Sequence, residues 1–124
     1  MHKNSLRLTL AGLVVFLSTT FCTLTPRPAL QFLPDKMPDA KVGSLYIVEF
    51  VITGNVTPVG NYSISAGALP PGLELIMEEQ LHTARISGTP TQSGSYNFIV
   101  SVWCYGTNVS GQTGDKQYTL VVGE

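Results

Sequence analysis

Side chains able to do chemistry are few in this chain, and their spacing brings no reactive set together. Past residue 22 there is one histidine, His82, and one cysteine, Cys104. No Ser/His/Asp or Cys/His order that a small domain would assemble accompanies them. His82, beside Thr83, reads as a solvated strand residue. Glu78 and Glu79 sit side by side at an apparent hairpin tip, so they read as turn charges, not as an acid and a base facing across a cleft. Cys104 reads as a buried thiol at a strand end, with an intermolecular bridge as the alternative. No His or Cys companion at ligand spacing supports zinc, and Asp115 is the only nearby acid where calcium would need several oxygens. No catalytic residue, metal or cofactor is expected.

Recognition chemistry is better represented. Tyr96, Phe98, Val100 and Val102 share one face of a long strand. Ile99, Ser101 and Trp103 therefore point the other way, and the same parity turns Val121 of the last strand outward beside them. Tyr105 then opens a loop from Gly106 to Asp115 rich in Gly, Thr, Asn and Ser. A Trp and a Tyr beside an adaptable polar loop suit a protein or glycan contact. Ile99, Trp103, Tyr105, Asn108 and Val121 are the candidate partner-binding residues. The alternative is that Trp103 packs under the loop as a cap on the core. Asn55, Asn61 and Asn108 each open an N-glycosylation sequon, which matters only in a eukaryotic host.

The elements that carry these residues follow an N-terminal export signal. Lys3 and Arg7 precede an apolar run, Leu8 to Leu17, and a short polar stretch, Ser18-Thr19-Thr20. This is the layout of a secretory signal peptide over residues 1–22, shorter than the roughly 20 apolar residues a membrane span needs. An uncleaved anchor or a buried helix is the alternative. Cys22, directly after the apolar run, resembles the lipobox of bacterial lipoproteins and is the candidate lipid-attachment site. It departs from that pattern at Thr19 and Phe21, where Leu and a small residue are usual. Lipoprotein and soluble exported forms both stand, and membrane contact is expected only through a lipid on Cys22.

The 124 residues are 44% hydrophobic and only 12% charged, with 12 Gly and 8 Pro. That punctuation suits short strands and turns, in a length that holds one domain. The formal net charge of −1 gives no basic face, so nucleic acid is not an expected partner. Residues 23–41 hold Pro26, Pro28, Pro34 and Pro38 and read as a Pro-rich extended lead-in or edge strand. From residue 42 to 124 a period of two takes over. Tyr46, Val48, Phe50 and Ile52 alternate with Ile47, Glu49 and Val51. Shorter strands follow around Tyr62 and Ile64, Leu73 and Leu75, and Ala84 and Ile86, before the long strand and a final one bearing Tyr118, Leu120 and Val122. About seven strands bounded by turns point to an all-β antiparallel sandwich.

Two motifs refine that reading: Gly67-Ala68-Leu69-Pro70-Pro71-Gly72-Leu73-Glu74-Leu75, and Ile86-Ser87-Gly88-Thr89-Pro90-Thr91 running on through Gly94-Ser95-Tyr96 into Phe98-Ile99-Val100. With Val42-Gly43-Ser44-Leu45-Tyr46 ahead of them, they resemble the Putative Ig domain family of bacterial surface proteins over roughly Leu30 to Val122. The resemblance implies a single Ig-like, cadherin-like sandwich and no catalytic site. Physically, Pro70 and Pro71 hold an extended approach, Gly72 turns the chain, and Leu69 and Leu73 pin it to the core. Tyr96 occupies the place of a tyrosine corner, its hydroxyl directed to backbone across the loop. The expectation is a non-catalytic exported module of the cell envelope that docks on a protein partner in a larger assembly. The alternative is an adhesion module for glycan or host protein.

Overall fold

The computed structural model describes residues 28–106 and 111–124. The stretch expected to be a signal peptide, with Cys22, and Asn108 lie outside the described residues. Eight strands run in chain order: β1 Gln31–Leu33, β2 Ala40–Lys41, β3 Tyr46–Thr53, β4 Val59–Gly67, β5 Leu73–Glu78, β6 Thr83–Gly88, β7 Gly94–Cys104 and β8 Thr113–Gly123. They form two four-stranded sheets, β1-β3-β6-β5 and β2-β8-β7-β4. This is the arrangement of an Ig-like sandwich whose first strand is divided between the sheets. The division accounts for eight strands where the sequence suggests about seven.

Residues 31–41 therefore do more than lead in. β1 pairs antiparallel with β3, and β2 pairs parallel with β8. Phe32, Met37 and Ala40 are buried in the core, so the sandwich takes in the end of the Pro-rich stretch ahead of residue 42.

Alternation in the sequence becomes alternation in burial. Tyr46, Val48 and Phe50 of β3 are buried while Ile47, Glu49 and Val51 are exposed. β8 repeats the pattern, with Tyr118, Leu120 and Val122 inward. Successive strand residues face opposite sides of a sheet, so one apolar face per strand suffices to close a sandwich. At its centre the Tyr118 ring lies 5.7 Å from that of Phe50 and 6.0 Å from that of Phe98, joining the two sheets. Each such side chain contributes roughly 1.5–3 kcal/mol relative to exposure.

Three buried tyrosines solve the problem of an apolar ring with a polar tip in the same way. Tyr46 donates its hydroxyl to the Pro38 carbonyl (2.7 Å), Tyr62 to that of His82 (3.1 Å) and Tyr118 to that of Pro34 (2.8 Å). Burial pushes all three hydroxyl pKa values up to about 12. Among the described residues no buried side-chain nitrogen or oxygen lacks a partner.

Candidate partner-binding site

The aromatic site is built where β4 and β7 meet near one end of the sandwich. β4 is an edge strand, and its pairing with β7 slips by one residue between Val59 and Asn61, leaving Gly60 as the extra residue of a bulge. Trp103, opposite Asn61 on one side and Thr113 on the other, lays its indole over Gly60. A Cβ on Gly60 would stand 2.4 Å from the indole Cζ3, so the ring occupies the space a side chain would fill. Trp103 nonetheless remains 45% exposed. Trp103 is thus a surface residue with one face on an edge strand, not a cap within the core.

Tyr105 continues the aromatic surface. Its ring meets the indole at 5.2 Å with an interplanar angle of 67°, an edge-to-face contact. Its backbone is held from the β3–β4 loop: the Tyr105 N–H donates to the Pro58 carbonyl (3.1 Å), and Thr57 Oγ1 donates to the Tyr105 carbonyl (2.6 Å). On its other side Tyr105 stands at 6.2 Å and nearly perpendicular to the His82 ring.

His82 departs from the solvated strand residue that the sequence suggests. It lies in the β5–β6 turn with φ 55°, half-buried, and its Nδ1 is 3.0 Å from the Val59 carbonyl. A carbonyl only accepts, so Nδ1 carries the proton in this contact. His82 ties the turn of one sheet to the start of β4 in the other. Beside it a cleft of about 260 Å³ opens, lined by Ile52, Asn55, Pro58, Tyr62, Leu81 and His82 among others.

The remaining candidates do not gather at this point. Ile99 shares the outward face with Trp103 but is half-buried opposite Gln117, four residues and roughly 13 Å away along the strand. Val121 is exposed on the same face but pairs with Ser95, whereas Trp103 pairs with Thr113. Eight residues, roughly 26 Å, separate Val121 from the level of Trp103. Its expected place beside Trp103 is therefore corrected. Parity sets the face, but strand register sets the position. Between them the face is polar: Ser101 donates to the Asp115 carboxylate (2.6 Å) and lies 2.6 Å from the Ser65 hydroxyl.

Chemistry-bearing residues elsewhere have structural partners. Glu78 belongs to the end of β5, not to the turn where the sequence places it, and forms an ion pair with Arg85 of β6. Cys104 is fully buried, and that burial pushes its thiol pKa up. Among the described residues no three His, Cys, Asp or Glu side chains converge as metal ligands do.

The two motifs prove to be one unit. Leu73 pairs with Gly88, Thr89 N–H donates to the Gly72 carbonyl (3.2 Å), and Thr91 N–H donates to that of Pro71 (3.0 Å). At the start of β7, Tyr96 donates its hydroxyl to the Gln92 carbonyl (3.1 Å), the bond of a tyrosine corner. The sequence profile of the Putative Ig domain matches residues 34–123. The chain belongs to that family. Among solved structures, the Ig domain is similar to one titled as the crystal structure of titin M3 domain. That match is 19% identical, covers 77% of this chain and 97% of the other, and has a TM-score of 0.47. Comparison with curated proteins gives no match. The Ig domain carries Phe98 two residues after the corner tyrosine, where antibody domains place a disulfide cysteine, and Phe98 packs there against Tyr118.

Proposed function

We propose that this Ig domain is a non-catalytic interaction subunit, exported to the bacterial cell envelope, that docks on a protein partner through the Trp103–Tyr105 surface. The observation that carries the reading is the half-exposed aromatic pair. Trp103 is 45% and Tyr105 46% exposed, yet both are held in place by Gly60, Pro58 and Thr57. Rigid aromatics lose little freedom on binding and dominate protein contacts. The apolar N-terminal run with Lys3 and Arg7 supports export, either as a lipoprotein anchored through Cys22 or as a soluble form.

The test is a photo-crosslinking residue placed at position 103, with position 47 on the opposite outer face as control, in intact cells. A defined envelope protein captured from 103 and not from 47 is the expected result. Equal capture from both positions would sink the docking reading. Mass spectrometry of the mature N-terminus decides between lipidated Cys22 and a soluble form, and an intact residue 1 would overturn export behind a cleaved signal.

A second reading, glycan binding, draws on the neutral polar residues around the indole. Asn61 and Thr113 flank Trp103 on the neighbouring strands. A clean glycan-array signal abolished by Trp103→Ala would favour it over a protein partner.

A further inference from the structure

β8 has a neighbour along its full length on one side only. There β7 pairs with it from Gly94–Val122 to Trp103–Thr113. On its other side β2 pairs only at Ala40–Val122 and Lys41–Gly123. Ahead of Ala40 the chain leaves that lane to reach β1 in the opposite sheet. The direction of the backbone groups follows from two bonds. Val42 N–H donates to the Gly123 carbonyl on the β2 side (2.9 Å), while Cys104 N–H donates to the Gln112 carbonyl on the β7 side (2.8 Å). Strand amides alternate in direction, so the odd-numbered residues of β8 turn theirs away from β7. Asp115, Gln117 and Thr119 are exposed, and among the described residues no hydrogen bond reaches their backbone N–H or carbonyl groups.

A cleft of about 460 Å³ lies along this stretch. Asp35, Lys36, Met37 and Asp39 line one side, and Gln117, Tyr118 and Thr119 the other. The Lys116–Asp35 ion pair (2.7 Å) and the Tyr118–Pro34 hydrogen bond (2.8 Å) tie the connecting segment to β8. The other sheet edges are blunted in the ways that prevent strand addition. β4 has register shifts at Gly60 and Ser65, β1 has three residues followed by Pro34, and β5 carries Glu74 and Glu78.

We propose that the Asp115–Thr119 stretch of β8 is a strand-addition site for an extended segment of a partner polypeptide. The segment continues the lane that β2 already occupies at Val122 and Gly123 and hydrogen-bonds to the backbones of Asp115, Gln117 and Thr119. The occupant is polypeptide because the lane offers alternating N–H and C=O groups at strand spacing, which another strand matches. The charges beside it nearly balance, Asp35, Asp39 and Asp115 against Lys36 and Lys116, so the lane selects an extended segment by its main chain, not by charge. Nothing in this reading depends on Trp103 or Tyr105.

The probe is the blocked peptide acetyl-Thr-Val-Thr-Val-Thr-amide at millimolar concentration, read by amide hydrogen exchange and NMR shifts of the full chain. Exchange at Gln117 and Thr119 is expected to slow about tenfold. An alternately N-methylated version of the peptide is expected to leave it unchanged. Gln117→Pro and Thr119→Pro remove only outward N–H groups, a substitution edge strands accept, and are expected to abolish the shifts. If those variants do not fold, the N-methylated peptide still decides. No slowing at millimolar peptide, equal slowing by the N-methylated peptide, or shifts confined to β4 or β5 would overturn the proposal. Slowing that tracks protein concentration without peptide would also overturn it, by assigning the lane to a second copy of this chain.

Discussion

Gly72 and Gly88 lock the two signature motifs into one another. A Cβ on Gly88 (φ 143°) would stand 2.0 Å from the Gly72 carbonyl oxygen, and a Cβ on Gly72 (φ 94°) would stand 2.0 Å from that of Thr89. Each obstacle is backbone, so a side chain at either position must move the chain itself. The LPPGL and SGTP motifs are therefore two halves of one close approach, and neither needs a ligand to explain it.

Gly72→Ala and Gly88→Ala are each expected to destabilise the fold by about 2–3 kcal/mol through steric clash and positive-φ strain. Urea unfolding midpoints measure this. Because both clashes fall in the same close approach of the two motifs, the double variant is expected to lose less than the sum of the single losses.

Tyr96→Phe removes the hydroxyl that bonds to the Gln92 carbonyl but keeps the ring against the core. The expected cost is about 1 kcal/mol. An unchanged melting midpoint would remove the corner from the account of stability.

Gln112 closes the end of the sandwich with its full amide. Its Nε2 donates to the Pro28 and Gly54 carbonyls (3.0 Å each), and its Oε1 accepts from the Val56 N–H (2.8 Å). Gln112→Ala is expected to cost about 1–2 kcal/mol in urea unfolding. Gln112→Glu, whose carboxylate cannot donate to two carbonyls, is expected to cost at least as much. A neutral result for Gln112→Glu would show that only the Val56 bond matters.

Alkaline pH tests the buried tyrosines. Tyr46, Tyr62 and Tyr118 have pKa values raised from 10.0 to about 12, by burial first and by the nearby Asp39, Cys104 and Asp35 respectively. Such a group holds its proton more tightly when folded. The stability it contributes is full below the unfolded pKa and is lost as pH rises through the folded one. Unfolding is therefore expected to grow easier between about pH 10 and 12, with tyrosinate absorbance rising together with the loss of β-sheet signal. Titration of Tyr46, Tyr62 and Tyr118 near pH 10 in a folded chain would contradict the burial.

What the sequence makes legible is parity. The inward faces of β3, β7 and β8 follow from alternation alone, and the Gly and Pro motifs mark the corners. Three features needed the folded chain. The Pro-rich stretch has no period, so nothing local says that residues 31–33 join one sheet and 40–41 the other. Val121 and Trp103 share a face, but the β7–β8 register holds them far apart. His82 adopts φ 55° in a turn without glycine or asparagine, because Val59 and Tyr62 hold it from the opposite sheet. The isolated Gly60 was a usable signal for the bulge, though not for the ring above it.

That ring supplies the last prediction. Trp103 is the only tryptophan in the chain, so its fluorescence reports on the candidate partner-binding site alone. Gly60→Ala places a methyl group where the indole now lies, and the obstacle is a side chain, not backbone. The ring is therefore expected to swing outward, shifting its emission to the red, while the core under Phe98 and Tyr118 stays folded. If Trp103 instead held the edge strand in place, Gly60→Ala and Trp103→Ala would unfold β4, and fast amide exchange at Tyr62 and Ile64 would show it. A red shift with protected β4 amides and lost crosslinking at position 103 separates the recognition role of the indole from its packing role.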